Sequence, residues 1–319
     1  MGIPMSSTTV AELGEFALIE QIQKRLGVID SAKVSVGIGD DSAVVSATGS
    51  KAVACVDVLS QGVHFRLDWS SANDIGRKAA AANLADIFAM GATPTALLVG
   101  LALPAQTEVN WVLELADGLA QESAKVNTQV VGGDIVKSDV ITISVTALGE
   151  LGGNQPILRS GAKPGHTIAL AGKLGYSAAG LLMLSRGFRS PKVLVSAHRA
   201  PEPPYDLAAK ATAASSMIDV SDGLVSDLGH LAKASNVRMS IDKNALQIPE
   251  DLAATASAFN VNAYDWVLSG GEDHAFVATF PTALDVPNGW QIIGIVEAGE
   301  PKVLIDGQEL PNQGWDHFK

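Results

Sequence analysis

Short runs of small apolar residues, closed by glycine or by an acid, alternate along this chain with longer stretches whose apolar positions recur every three or four residues. The first pattern reads as strand and the second as helix. GEFALIEQIQKRLG (14–27) reads as an amphipathic helix stopped by Gly27, and KAVACVDVL (51–59) as a strand. NDIGRKAAAANLADIFAMG (73–91) reads as a helix capped by Asn73 or Asp74, with Gly91 just past its last turn. TALLVGLALP, a helix over 107–126, NTQVVGGD and DVITISVTALGE follow as strand, helix, strand and strand. A stretch rich in Gly and Pro at 150–165 marks a domain boundary. Beyond it HTIALAG is a strand, YSAAGLLMLSRG a helix, and HRAPEPPYDLAAKATA a proline-rich lead into another helix. SSMIDVSDGLVSDLGHLAKASN predicts a strand, a turn and a helix, with DHAFVATFP and WQIIGIVEAG as later strands. The pattern predicts an α/β (α+β) protein of two domains, 14–150 and 151–319, behind a flexible arm over 1–13. No convincing internal repeat is visible.

Composition narrows the class of function. Of the 319 residues, 18% are charged, against roughly 25% for an average domain, and glycine is frequent, so a tightly packed fold with many turns is expected. A formal net charge of −12 argues against a general nucleic-acid binder, although metal ions can carry phosphates to an acidic surface. Cys55 is the single cysteine, which rules out an intrachain disulfide and fits a reducing cytoplasm. The most apolar window, ATPTALLVGLALP (92–104), is too short to span a bilayer, and MGIPMSSTT has no signal-peptide pattern.

The unusual feature is where the acids stand. In VSVGIGDDSAVV (34–45) Asp40 and Asp41 sit side by side at a glycine-rich break between two apolar runs. Asp57 interrupts VACVDVL, and Asp86 falls in the last turns of an apolar helix, where the dipole disfavours another anion. Asp134 follows two glycines, Asp219 and Asp222 bracket Ser221, and Glu272 with Asp273 follow Gly270 and Gly271. Each has a plainer reading: Asp222 as a helix cap, Asp57 as an edge-strand residue, Asp134 and Glu272 as turn residues. Unpaired buried carboxylates are costly, and few basic residues lie near these motifs. Shared divalent cations resolve this, and oxygen donors without a Cys/His cluster favour Mg²⁺, commonly held together with substrate phosphates. Glycines beside the acids allow backbone N–H groups to approach phosphate oxygens. A Mg²⁺-dependent nucleotide enzyme is the reading, although no P-loop, dinucleotide or protein-kinase motif is present.

GEFALI (14–19), GIGDDSAVV (37–45), VDVLSQGVHF (56–65), NLADIFAMGATP (83–94), VVGGD (130–134), LRSGAKPG (158–165), LGYSAAGL (174–181), MIDVSDGLVSDLGHLAKAS (217–235) and LSGGED (268–273) occur together and in order. This ordered set, covering about residues 12 to 318, resembles the thiamine-monophosphate kinases. They belong to the superfamily of aminoimidazole ribonucleotide synthetase and selenophosphate synthetase. The resemblance implies an N-terminal domain whose sheet joins its twin in a homodimer, and a C-terminal domain covering a nucleotide cleft. It implies ATP as phosphoryl donor, thiamine monophosphate as acceptor, and direct transfer with neither a phosphoenzyme nor a catalytic base. It further implies Mg²⁺ ions on Asp41, Asp57, Asp86, Asp134, Asp219 and Asp222. Gly133, Asp134, Arg159 and Ser221 would contact ATP, and His64, Glu272 and Trp315 the substrate.

The sequence also departs from that family. Cys55-Val56-Asp57-Val58 stands where S/T-T-D-T is common, so at the metal positions of Cys55 and Val56 only backbone carbonyls could serve. Gln61 replaces a frequent Glu, and His274-Ala275-Phe276 replaces the usual Tyr-Glu-Leu. Selenophosphate synthetase carries a reactive Cys or selenocysteine in its N-terminal arm, and the hydrogenase-maturation relative a C-terminal Cys; this chain has neither. A non-catalytic nucleotide or thiamine-phosphate sensor is the alternative of another class. It would bind MgATP without forming ADP.

Overall fold

The computed structural model describes residues 8–13, 15–27, 34–36, 44–45 and 51–310. The chain divides into two compact units, Met1–Ile87 with Pro94–Gly153, and Phe88–Thr93 with Asn154–Lys319. Both are mixed α/β, each around its own sheet.

In the first unit, helices α1 (Val10–Leu13) and α2 (Glu15–Leu26) precede two short strands, β1 (Val34–Val36) and β2 (Val44–Val45), paired antiparallel. Strand β3 (Ala52–Ser60), helix α3 (Ala72–Ala89), strand β4 (Thr93–Leu103), helix α4 (Val109–Ala124), and strands β5 (Val130–Lys137) and β6 (Thr142–Glu150) follow. The sheet runs β3-β6-β4-β5. Strands β3 and β6 pair antiparallel along their whole length, and the parallel pair β4 and β5 is joined through α4. Alternation decides which face is covered: Ile143, Val145 and Ala147 of β6 are buried and the residues between them are half-buried. The residues before α1 also join this unit, with Val109 donating its N–H to the Thr8 carbonyl at 2.9 Å.

Two glycines let α3 and α4 approach until their backbones touch. A Cβ on Gly76 would lie 2.2 Å from the Leu115 carbonyl oxygen, and one on Gly118 would lie 2.1 Å from that of Asn73. The same seam buries Glu122 completely against Arg77 Nε at 3.2 Å and Lys125 Nζ at 2.8 Å. The cap of α3 is Ser71, two or three residues before those expected from the sequence. Ser71 Oγ accepts from the Asp74 N–H at 3.1 Å while Asp74 accepts from the Ser71 N–H at 3.2 Å. The reciprocal pair satisfies two donors, which Asn73 or Asp74 alone would not.

The second unit holds strands β7 (Thr167–Ala171), β8 (Ser216–Val220), β9 (Arg238–Ile241), β10 (Ala275–Phe280), β11 (Gln291–Glu297), β12 (Lys302–Ile305) and β13 (Gln308–Glu309). Its helices are α5 (Tyr176–Ser185), α6 (Lys192–Arg199), α7 (Tyr205–Ala208), α8 (Leu224–Ser235), α9 (Glu250–Ala258) and α10 (Ala263–Ser269). The strand order is β13-β12-β9-β11-β7-β10-β8. Every residue of β8 and β10 is buried, so neither strand alternates. The proline-rich lead at 201–204 reaches only the single turn of α7. Strands β9, β12 and β13 and helices α6, α9 and α10 lie in segments whose pattern is too short or too mixed to read.

The glycine contact between α3 and α4 is directly testable. Alanine is the better helix former by about 1 kcal/mol, yet Gly118→Ala drives a methyl into the Asn73 carbonyl. The variant is expected to lose about 1–3 kcal/mol, read from its urea midpoint. A gain would mean that the helices part without penalty.

Candidate active site

In the first unit, Cys55, Asp57 and Leu59 alternate on the face of β3 turned toward α3. Buried Asn83 ties strand to helix there: its Oδ1 accepts from the Asp57 N–H at 3.1 Å, and its Nδ2 donates to the Ala79 carbonyl at 3.0 Å. The Cys55 thiol donates to the Asn83 carbonyl at 3.4 Å. Burial first, and then the charges of Asp86 and Asp57, push this thiol well above its ordinary range. The two carboxylates therefore converge on one half-buried point. Val56 points the other way and is 58% exposed.

Asp134 does not join them. Its strand β5 lies at the opposite edge of the sheet, three strand spacings of about 4.8 Å away. The register Val58↔Ser144 and Gly100↔Asp134, with Gly100 beside Ser144, puts exposed Asp134 on the face opposite Asp57. At Gly133 a Cβ would lie 2.0 Å from the Val99 carbonyl oxygen, so strand packing alone demands glycine there. His64 is half-buried in the turn after β3, its Nδ1 accepting from the Ser60 N–H at 3.0 Å. Buried Lys78 of α3 donates to the His64 carbonyl at 3.0 Å and fixes that turn to the helix.

In the second unit, the loop after β8 and the loop before β10 lie back to back. The Glu272 N–H donates to the Ser221 carbonyl at 2.7 Å and the His274 N–H to the Val220 carbonyl at 3.0 Å. A Cβ on Gly271 would lie 2.4 Å from the Ser221 oxygen, so this approach requires glycine. Buried Asp219 meets His274 Nδ1 at 3.0 Å. Asp222 does not cap α8; Gly223 precedes the helix, and the Asp222 N–H donates to Asp227 Oδ2 at 3.1 Å. Glu272 Oε2 lies 3.5 Å from Nδ1 of buried His198, which in turn meets Ser177 Oγ at 3.1 Å. Asp273 is buried and accepts from the Gly175 and Ser177 N–H groups at 2.6 and 2.7 Å, holding the start of α5. Arg159 is exposed, and its carbonyl accepts from Ser235 Oγ at 3.2 Å.

Asp40, Asp41 and Trp315 lie outside the described residues. Among the described residues no three or more His, Cys, Asp or Glu are grouped so as to hold a metal ion. The acids come as pairs: Asp57 with Asp86 in one unit, and Asp219 with Asp222 around Asp227 in the other. Sequence reasoning passed over Asn83, Lys78, His198 and Asp227. Asn83 carried a signal, a lone amide in an apolar helix three residues before Asp86.

Asp227 supplies a test. Burial, and then the charge of Asp219, push its carboxyl up to about 8, against the backbone N–H groups of Asp222 and Ser221 that favour its anion. A raised folded value means the group supports the folded state fully below its ordinary value near 3.8, and that this support is lost as pH rises through about 8. Urea midpoints of the metal-free protein are expected to fall from about pH 4 to about pH 8 and to level off above, and Asp227→Asn to flatten the fall. An unchanged slope in the variant would show that Asp227 is ionised throughout.

Comparison with known proteins places these features. The family model for the N-terminal domain of AIR synthase related protein matches residues 39–151. Thiamine-monophosphate kinase of Mycobacterium tuberculosis is 46% identical over 316 residues, covering 98% of this chain and 94% of the relative. That of Corynebacterium glutamicum is 41% identical over 325 residues, covering 97% and 95%. Among solved structures, AaThiL complexed with AMPPCP and TMP superposes with a TM-score of 0.81 at 33% identity, covering 98% of this chain and all of that one. With this similarity along nearly its whole length, the chain belongs to the thiamine-monophosphate kinase family.

Proposed function

We propose that this protein transfers the terminal phosphoryl group of ATP to thiamine monophosphate, giving ADP and thiamine diphosphate, the last step in making that cofactor. The near-full-length similarity to kinases of that name carries the reading. The acceptor is already an anionic phosphate, so the protein need not abstract a proton from it. Positioning and charge neutralisation carry the acceleration, and no residue need form a covalent intermediate.

The donors present suit a hard cation. Asp57 and Asp86 bring carboxylate oxygens to one half-buried point beside the Cys55 thiol, which stays protonated and so is no competing thiolate. Asp219 and Asp222 do the same at the end of β8. In this reading these acids, with Asp41 and Asp134, would hold Mg²⁺, whose charge would offset that of the ATP phosphate oxygens. The backbone carbonyls of Cys55 and Val56 replace the hydroxyls common at those positions. Gly133, Asp134, Arg159 and Ser221 hold ATP, and His64, Glu272 and Trp315 hold thiamine monophosphate. Asn83 and Lys78 orient Asp57 and His64 for these roles.

The protein works in the cytoplasm as a homodimer. Val56 and Val58 on β3 and Val136 on β5 are about half exposed on one face of the first sheet, apolar surface of the kind that marks an interface. A second copy would cover them. Sedimentation equilibrium should give the mass of two chains, and a single-chain mass would overturn the dimer.

³¹P NMR with MgATP and thiamine monophosphate should reveal the diphosphate of thiamine growing with ADP. Asp57→Asn and Asp86→Asn are each expected to slow turnover by about 10² or more with the unfolding midpoint kept. ADP and free phosphate appearing equally without acceptor would point to another substrate. Nucleotide binding with no ADP at all would leave a sensor.

A further inference from the structure

His274 has a task that neither the family pattern nor the metal assignment gives it. It replaces the usual Tyr, and it adopts the left-handed conformation, φ +51°, that a residue with a Cβ ordinarily avoids. Two residues earlier Glu272 does the same at φ +64°. The reversal keeps both backbone donors on the loop after β8, through Val220 and Ser221, and it swings the His274 ring under the end of that strand. Nδ1 then lies 3.0 Å from Asp219 Oδ2, with both side chains nearly buried, at 9% and 7% exposure. An ionised carboxylate can only accept, so Nδ1 carries the proton. In strand β10, which follows at once, Ala275 pairs with Val220 and Phe276 with Asp219, fixing the ring's height along β8.

We infer that His274 is a positioning residue for the metal-binding carboxylate of Asp219, occupying Oδ2 so that Oδ1 is the oxygen presented to a divalent cation. This rests on the proposed role of Asp219 as a Mg²⁺ ligand. The ring does for the carboxylate what outer partners do for metal ligands generally: it sets orientation before the ion arrives. His274 Nδ1 bonds the Asp219 carboxylate, while buried Asp227 accepts from the Asp222 N–H across the loop.

The test separates the hydrogen bond from the fold. Asparagine tolerates the left-handed backbone and places its amide nitrogen where Nδ1 stands, whereas glycine relieves the backbone and removes the donor. The probe is Mn²⁺, titrated with the ATP-loaded protein and followed by electron paramagnetic resonance, beside KM for thiamine monophosphate and the melting temperature. His274→Gly is expected to raise the Mn²⁺ dissociation constant about tenfold and His274→Asn to restore most of it, with KM unchanged in both. Asp219→Asn serves as reference. If Asp219→Asn weakens Mn²⁺ binding and His274→Gly does not, the positioning role is overturned while the metal reading stands. If Asp219→Asn leaves binding intact, the metal reading fails and takes the inference with it. Equal weakening in the Gly and Asn variants would assign the effect to packing and overturn the hydrogen bond.

Discussion

A carboxylate at the end of a buried strand must be met by a donor or a cation, because burial alone disfavours its charge by several kcal/mol. The arrangement of both units follows from how that demand is met. Asp219 closes β8, whose five residues are all buried, and His274 meets it from the next strand of the sheet. Asp273 follows Glu272 and is met by two backbone N–H groups at the start of α5. Glu122 is completely buried between α3 and α4 and is met by Arg77 and Lys125. The Cys55 thiol lies in the field of Asp86 and Asp57, and the Asp227 carboxyl in that of Asp219 and Asp222.

Glycine is the second element of this design, and its reason differs from place to place. At Gly76 and Gly118 it permits helix backbones to touch, and at Gly133 it permits two parallel strands to approach. At Gly271 it lets one loop lie against the Ser221 carbonyl. Only the last of these stands directly beside a loop that bears two proposed metal ligands. The glycine-acid pairs that suggest phosphate binding in the sequence thus have packing reasons as well. Close packing and backbone access to a ligand are compatible demands on the same residue.

Asp273 and Glu122 have no access to a substrate and hold helices in place. Asp57 within β3, Asp86 in α3 and Asp222 in the loop after β8 are half-buried, where a ligand can reach them. His64 and Glu272, proposed for the substrate, are each braced by buried groups that the sequence did not single out, Lys78 and His198.

Periodicity and motif order, read from the sequence alone, identified strands β3 to β6 and helices α2 to α4 of the first unit, the strand-turn-helix at 215–236, and the family, whereas α1 lies in what the sequence reads as a flexible arm. Those are local or ordered properties, visible wherever a pattern of apolar residues or a run such as MIDVSDGL is intact. Only the tertiary structure decided which acids meet. Asp57 and Asp86, nearly thirty positions apart, converge because Asn83 ties β3 to α3, and Asp134 stands apart from them because strand order sends it to the other edge and register to the other face. It also decided that Ser71 caps α3, and that His274 reaches back across the loop to Asp219. Partners in a sheet or across a helix seam are chosen by packing between distant segments, and one chain's pattern of residues holds no record of that choice.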